Sequence, residues 1–189
     1  MKKYLLLLVT VFISMVATSQ TSKDVKRHQF VNDLMKKMTL EEKLGQLNLP
    51  ASSDFVTGAV SSSDIAQKVK DGKVGGVFNI RSVTKIKELQ EYAVKSTRLH
   101  IPLLFGMDVI HGYKTIFPIP LGMSATWDMP LIERTARIAA SEASADGIQW
   151  TFSPMVDLTR DPRWGRTSEG NGEDAFLSSA IAKAMVHGY

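Results

Sequence analysis

The 189 residues carry 23 basic and 19 acidic side chains, a formal charge of +4, no cysteine, and 44% apolar residues. Without Cys the chain has no disulfides, no lipobox lipidation and no thiolate metal centre. Its basic residues are dispersed among acids with no aromatic interleaving, which argues against a nucleic-acid partner.

The first twenty residues read as a targeting segment. Lys2 and Lys3 form a basic start, Tyr4 to Val16 is apolar almost throughout, and Ala17 to Gln20 offers small and polar residues suited to signal-peptidase cleavage. The apolar run is short for a membrane span, which needs about 20 residues. The expectation is a signal peptide over 1–20 and an exported product, periplasmic or secreted, with no stable membrane anchor. Its removal leaves 21 basic against 19 acidic residues, +2, which further weakens the case for an anionic partner.

Residues 21–189 are enough for one domain of ordinary size. Val25, Phe30, Val31, Leu34 and Met38 recur at helical spacing. Thr39 followed by Glu42 is a capping box that starts a second short helix, ending near Gly45. Gln46 to Pro50 reads as extended, 51–63 as a Ser-rich loop, and Asp64 to Asp71 as a short helix stopped at Gly72. A regular alternation follows: strand Val74–Ile80, helix Val83–Thr97, strand Ile101–Asp108, helix Pro130–Asp146, strand Ile148–Val156, and a helix from Glu173 onward. Near-continuous apolar strands alternating with helices predict an α/β fold with a parallel sheet.

Two architectures fit, an open doubly wound sheet and a β/α barrel. A nucleotide-binding open sheet places glycines in the turn before a helix, whereas Gly75 and Gly76 fall inside a strand. Polar residues gather instead after the strands: Asn79, then Asp108 and His111, then Asp157 to Arg166. Barrel enzymes keep their sites there; open sheets bind ligands at the same ends, so the barrel is preferred without excluding the other.

The densest chemistry lies in Phe152 to Asp174, where Arg160, Arg163 and Arg166 interleave with Asp157, Asp161, Glu169, Glu173 and Asp174. The planar fork of Arg donates two parallel hydrogen bonds and so fixes geometry as well as charge. The alternative is a solvated loop whose ion pairs hold only its own shape. Asp108 ends an apolar strand, and an ionised carboxylate can accept hydrogen bonds from adjacent hydroxyls, as on a sugar. A general base, a metal ligand or a structural Asp would look the same in sequence, although Asp108 and His111 match no common metal spacing. His111 reads as a satisfied loop or core group before it reads as a catalyst. Trp127, Trp150 and Trp164 offer flat faces for stacking, with core packing preferred for the first two.

Phe105-Gly-Met-Asp-Val-Ile-His-Gly112, Thr115-Ile-Phe-Pro118 through Ala125-Thr-Trp-Asp128, Ser153-Pro-Met-Val-Asp-Leu-Thr-Arg-Asp-Pro-Arg-Trp-Gly-Arg166 and Glu173-Asp174 together resemble the N-terminal barrel domain of glycoside hydrolase family 3. The likeness runs from about residue 27 onward, keeps order and spacing, and is particularly clear to the family's periplasmic bacterial β-glucosidases. The resemblance implies a (β/α)8 barrel that hydrolyses β-linked glucosides with retention, through a covalent glycosyl-enzyme and without cofactor or metal. Asp108 matches the Asp that binds sugar hydroxyls in the −1 subsite, and Arg166 matches the Arg that closes the same pocket. Arg160 and Arg163 join them as substrate-binding candidates whose main part is to hold the loop.

The family's nucleophilic Asp, its Lys-His sugar-binding pair and its acid/base Glu all lie beyond the matched motifs. Retention requires two carboxyl groups about 5 Å apart, so no catalytic residue is assigned, Asp108 included. The chain is therefore expected to be about half a barrel, roughly four strands. Half a barrel leaves an unpaired edge and an uncovered apolar face, which predicts an inactive and poorly soluble protein. The alternatives are an exported sugar-binding protein without catalysis and an inert truncation.

Overall fold

The computed structural model describes residues 23–52 and 64–189, so the expected signal peptide and most of the Ser-rich loop lie outside the described residues. The chain divides into two compact units, Met1–Leu44 and Gly45–Tyr189. The first contains helix α1 over 23–37. Its capping box forms as the sequence predicts: Glu42 N donates to Thr39 Oγ1 at 3.2 Å, and Thr39 N donates to Glu42 Oε2 at 2.9 Å. Helix α2, Leu40–Gln46, starts on that box.

The second unit is built on three parallel strands, β1 (Gly76–Phe78), β2 (Leu104–Met107) and β3 (Trp150–Thr151), ordered β1-β2-β3. Before β1, the segment 48–52 adds to its free edge. Gly75 N donates to Asn48 O at 3.1 Å, Phe78 N to Pro50 O at 2.9 Å, and Ser52 N to Phe78 O at 2.9 Å. Pro50 uses only its carbonyl there, so the extended run continues past it to Ser52 instead of ending. Four extended segments thus lie side by side in chain order.

The strands are shorter than their apolar runs suggest. Proline has no N–H to give a ladder, so β2 begins after Pro102, and the third run stops short of Pro154 after Phe152 N donates to Met107 O at 3.1 Å. Helix α3 (Ile65–Lys70) precedes β1, and α4 (Val83–Glu91), extended by a π turn over Tyr92–Ser96, leads to β2. Between β2 and β3 come α5 (Pro120–Ser124), which the periodicity does not reveal, and α6 (Met129–Ala145). Helix α7 (Ala175–Gly188) closes the described chain. The Asp128 and Asp174 carboxylates cap α6 and α7, accepting from Leu131 N at 2.9 Å and Leu177 N at 2.6 Å, where an anion also meets the positive end of the helix dipole.

Successive strand residues point to opposite faces. Val77, Leu103, Phe105 and Met107 face Ile65 and Val69 of α3, Ile86 and Leu89 of α4, and Ala139 and Ala143 of α6 in one buried core. On the other face Phe152 meets Phe78 edge-on with ring centres 5.2 Å apart and lies 4.7 Å from Trp150. Gly106 leaves room for both Phe rings, since a Cβ there would sit 3.1 Å from Phe152. That face is poorly covered: Leu104 is 51% exposed, and Trp150 and Phe152 each 43%. A second cluster of Ile132, Ala136, Ile181, Ala184 and Met185 joins α6 to α7. No helix among the described residues is long and apolar enough to cross a membrane.

Candidate active site

The polar residues that follow β1 and β2 share one cavity of about 380 Å³, lined by Asn79 and Arg81 after β1, Asp108 and His111 after β2, and Ser168 and Glu169 from the turn Thr167–Glu169, whereas Asp157 to Arg166, expected at the same end, do not line it. Ile116, Ile119 and Pro120 supply an apolar wall. The position follows from the parallel sheet, whose strands all deliver their following loops to one end.

Asp108 stands at the cavity's mouth, in reach of solvent yet crowded on its inner side. Partial desolvation pushes its carboxyl above the ordinary value, the negative charge of Glu169 adds to the rise, and Arg166 opposes it. Arg166 binds Glu169 through Nε at 3.0 Å and Nη2 at 2.7 Å. The guanidinium is thus held by its own loop, and its positive charge is felt at Asp108.

His111 both satisfies its loop and lines the cavity. Its Nδ1 lies 2.9 Å from the Phe117 carbonyl, which can only accept, so Nδ1 carries the proton. Gly112 has φ of 116°, and a Cβ there would run into the Thr115 carbonyl, so the loop needs glycine at this point. Two carboxylates, Glu142 on α6 and Asp146 at its end, hold the same loop. Glu142 accepts from the amides of Lys114 and Thr115 and from the Thr115 hydroxyl; Asp146 accepts from Lys114 Nζ at 2.8 Å and Tyr113 Oη at 3.1 Å. Burial and that bond push the Tyr113 phenol up to about 12.

Of the three arginines, Arg166 is the one whose charge bears on Asp108. Arg163 forms a fork with Asp161, with Nε at 2.9 Å from Oδ1, and is 88% exposed in its side chain. Arg160 is exposed, and none of the three, Arg160, Arg163 or Arg166, is among the residues that line the cavity. Trp164 is half-buried in the same loop, where its carbonyl accepts from the Thr167 hydroxyl at 2.8 Å. Trp127 and Trp150, both read as core residues, are instead 72% and 43% exposed. The sequence placed Asn79 among the polar residues that follow strands and Glu169 only within a charge-dense stretch, and it did not point to Arg81 as a cavity wall or to Glu142 and Asp146 as loop anchors. Among the described residues no group of three His, Asp or Glu is arranged to hold a metal ion.

A parallel α/β sheet with carboxylates, an imidazole and a guanidinium gathered in one cleft beyond the strand C-termini defines the α/β class, whose members place their ligand sites at that end. Residues 39–189 match the glycosyl hydrolase family 3 N-terminal domain, and the chain belongs to this family. It is 44% identical over 161 residues to a periplasmic beta-glucosidase of Salmonella typhimurium, covering 85% of this chain and 20% of that protein. A beta-glucosidase from Listeria innocua solved in complex with isofagomine superposes with a TM-score of 0.76 at 44% identity, over 85% of this chain and 22% of that one. The same enzyme has been solved with glucose, with a TM-score of 0.73. An exo-1,3/1,4-beta-glucanase from a Pseudoalteromonas species gives 0.71 at 32% identity, over 85% and 22%. The chain thus spans about a fifth of the length of these relatives.

Proposed function

We propose that this chain is the opening portion of the barrel domain of an exported, retaining β-glucosidase, and that the cavity at Asp108 holds part of its −1 sugar subsite. The observation that carries the reading is the cavity itself: Asp108 faces it beside Glu169, with the Arg166 charge close by. A carboxylate accepts from two neighbouring hydroxyls while a guanidinium and amide donors supply their oxygens, which is the pairing a pyranose edge requires. Asn79 and Arg81 complete the polar wall.

The barrel reading has its own support. Four extended segments in chain order, all parallel, with α3, α4 and α6 against one face, match a singly wound sheet; a doubly wound one reverses order and carries helices on both faces. The open face of Leu104, Trp150 and Phe152 is then the inner face of a barrel, covered when further strands close it.

In this reading Asp108 orients sugar and breaks no bond. The nucleophile and the acid/base come from segments outside 1–189, so the chain alone is inactive. The test is purified 1–189 protein against an aryl β-glucoside, with Asp108→Ala as control. The expected result is no turnover from either. Turnover that survives dialysis and disappears in Asp108→Ala would overturn the reading of the chain as a non-catalytic part. Glucose binding that Asp108→Asn leaves unchanged would overturn the role of Asp108.

A further inference from the structure

Val109, immediately after Asp108, has φ of 50°. A β-branched residue is strained in this left-handed region and stays there only where its surroundings hold it. The Val109 side chain is buried in the main core, 5% exposed. Three hydroxyls close on the same two peptide units. Ser153 Oγ and Thr151 Oγ1 both donate to the Asp108 carbonyl, the latter at 3.1 Å, and Tyr189 Oη donates to the Val109 carbonyl at 2.6 Å. Burial pushes the Tyr189 phenol above its ordinary value and the hydroxyls of Ser153 and Thr151 oppose that shift, so the three form one cluster.

This exceeds what backbone satisfaction asks. Asp108 is solvent-accessible, and water could serve its carbonyl; instead both lone pairs of that oxygen are taken by side chains 43 and 45 residues away in the chain. We propose that Thr151, Ser153 and Tyr189 are positioning residues that hold the Asp108–Val109 turn in its left-handed state and so aim the Asp108 carboxylate into the cavity. The consequence for sugar affinity rests on the sugar-binding reading of Asp108; the aiming itself does not. Of the charged and titratable groups around that carboxylate, Glu169, His111 and Arg81 line other parts of the cavity, and Arg166 acts on it through its charge from outside the lining; none of them is among the three hydroxyl residues.

The experiment follows the Asp108 carboxyl carbon by NMR in the full chain labelled at aspartate, assigned with Asp108→Asn, for wild type, Tyr189→Phe/Ser153→Ala, and the same pair with Val109→Gly. Glycine adopts positive φ without strain, so it should keep the turn when the hydroxyls are gone. The expected result is a titration midpoint that falls toward the ordinary carboxylate value in the double variant and returns when Val109→Gly is added. Glucose affinity should fall roughly tenfold and recover in parallel, the scale of one hydrogen bond to a charged group. An unchanged midpoint in the double variant, or no recovery with Val109→Gly, overturns the proposal. If the double variant does not melt cooperatively, Thr151→Val, nearly equal in volume, takes its place with the same two outcomes. The midpoint is read without sugar, so it decides the positioning claim even where glucose binding fails.

Discussion

Glu142 and Thr115 are joined across 27 residues by two hydrogen bonds to one carboxylate, from the Thr115 amide at 2.8 Å and its hydroxyl at 2.6 Å. The Thr115 hydroxyl, followed by the amides of Thr115 and Lys114, holds the Glu142 carboxyl below its ordinary value. A folded value below the unfolded one gives a contribution present above the ordinary value of 4.5 and lost as pH falls through the folded value. Amide protection of Lys114 and Thr115, corrected for intrinsic exchange, should therefore decline as pH drops below about 4.5. Glu142→Gln should lower that protection at neutral pH and remove its pH dependence. Protection unchanged in Glu142→Gln would show that the loop holds without this anchor.

Asp108 has the opposite sign. Its folded value is raised, so its contribution to stability is fully present below the ordinary 3.8 and is lost as pH rises through the folded value. Asp108→Asn should accordingly melt at a higher temperature than wild type at pH 7, by a small margin because the group is solvent-accessible. The advantage should vanish below pH 3.8, where the wild-type carboxyl is protonated in both states. Melting curves from pH 3 to 8 check this, and a lower melting temperature for Asp108→Asn at pH 7 contradicts it.

Arg163 and Arg166 separate by their effect on Asp108. Arg166 lowers the Asp108 value and Glu169 raises it, so Arg166→Ala should move the Asp108 midpoint further up and Glu169→Gln should move it down. Arg163→Ala should leave it in place, because that guanidinium is committed to Asp161. Carbon NMR of labelled aspartate reads all three, and equal shifts from Arg163→Ala and Arg166→Ala would refute the distinction.

Gly188 lies where α7 meets α6, and a Cβ on it would fall 2.5 Å from both the Ala136 Cβ and the Glu133 carbonyl oxygen. Both obstacles belong to a packed helix, so Gly188→Ala should cost about 1–3 kcal/mol in urea unfolding. Gly122 in α5 meets nothing nearer than 3.7 Å. Gly122→Ala should be neutral or stabilising by up to about 1 kcal/mol. Equal effects from the two substitutions would show that the α6–α7 contact is looser than its geometry.

Much of this fold was legible because its signals are local. The Thr39–Glu42 box, the helical spacing of α4 and α6 and the apolar strand runs each depend on neighbours within a few residues. Strand lengths were over-read because hydrophobicity reports burial, whereas a ladder needs amides that Pro102 and Pro154 lack. Asp108 was legible as a carboxylate ending a strand. Glu142 and Asp146 were not, since a carboxylate on a helix face reads as solvated until the topology brings a loop against it. The hydroxyls of Thr151, Ser153 and Tyr189 were equally silent, being ordinary residues whose role arises only from what lies across from them.

Because the extended segments stand in the sheet in the order in which they are synthesised, each one meets a completed neighbour as it emerges. Segment 48–52 is ready for β1, β1 for β2, and β2 for β3. No strand waits for a later one to be slotted between itself and its predecessor, so loop-closure entropy is met in small successive steps. The sheet lengthens from a single growing side, as a nascent chain does.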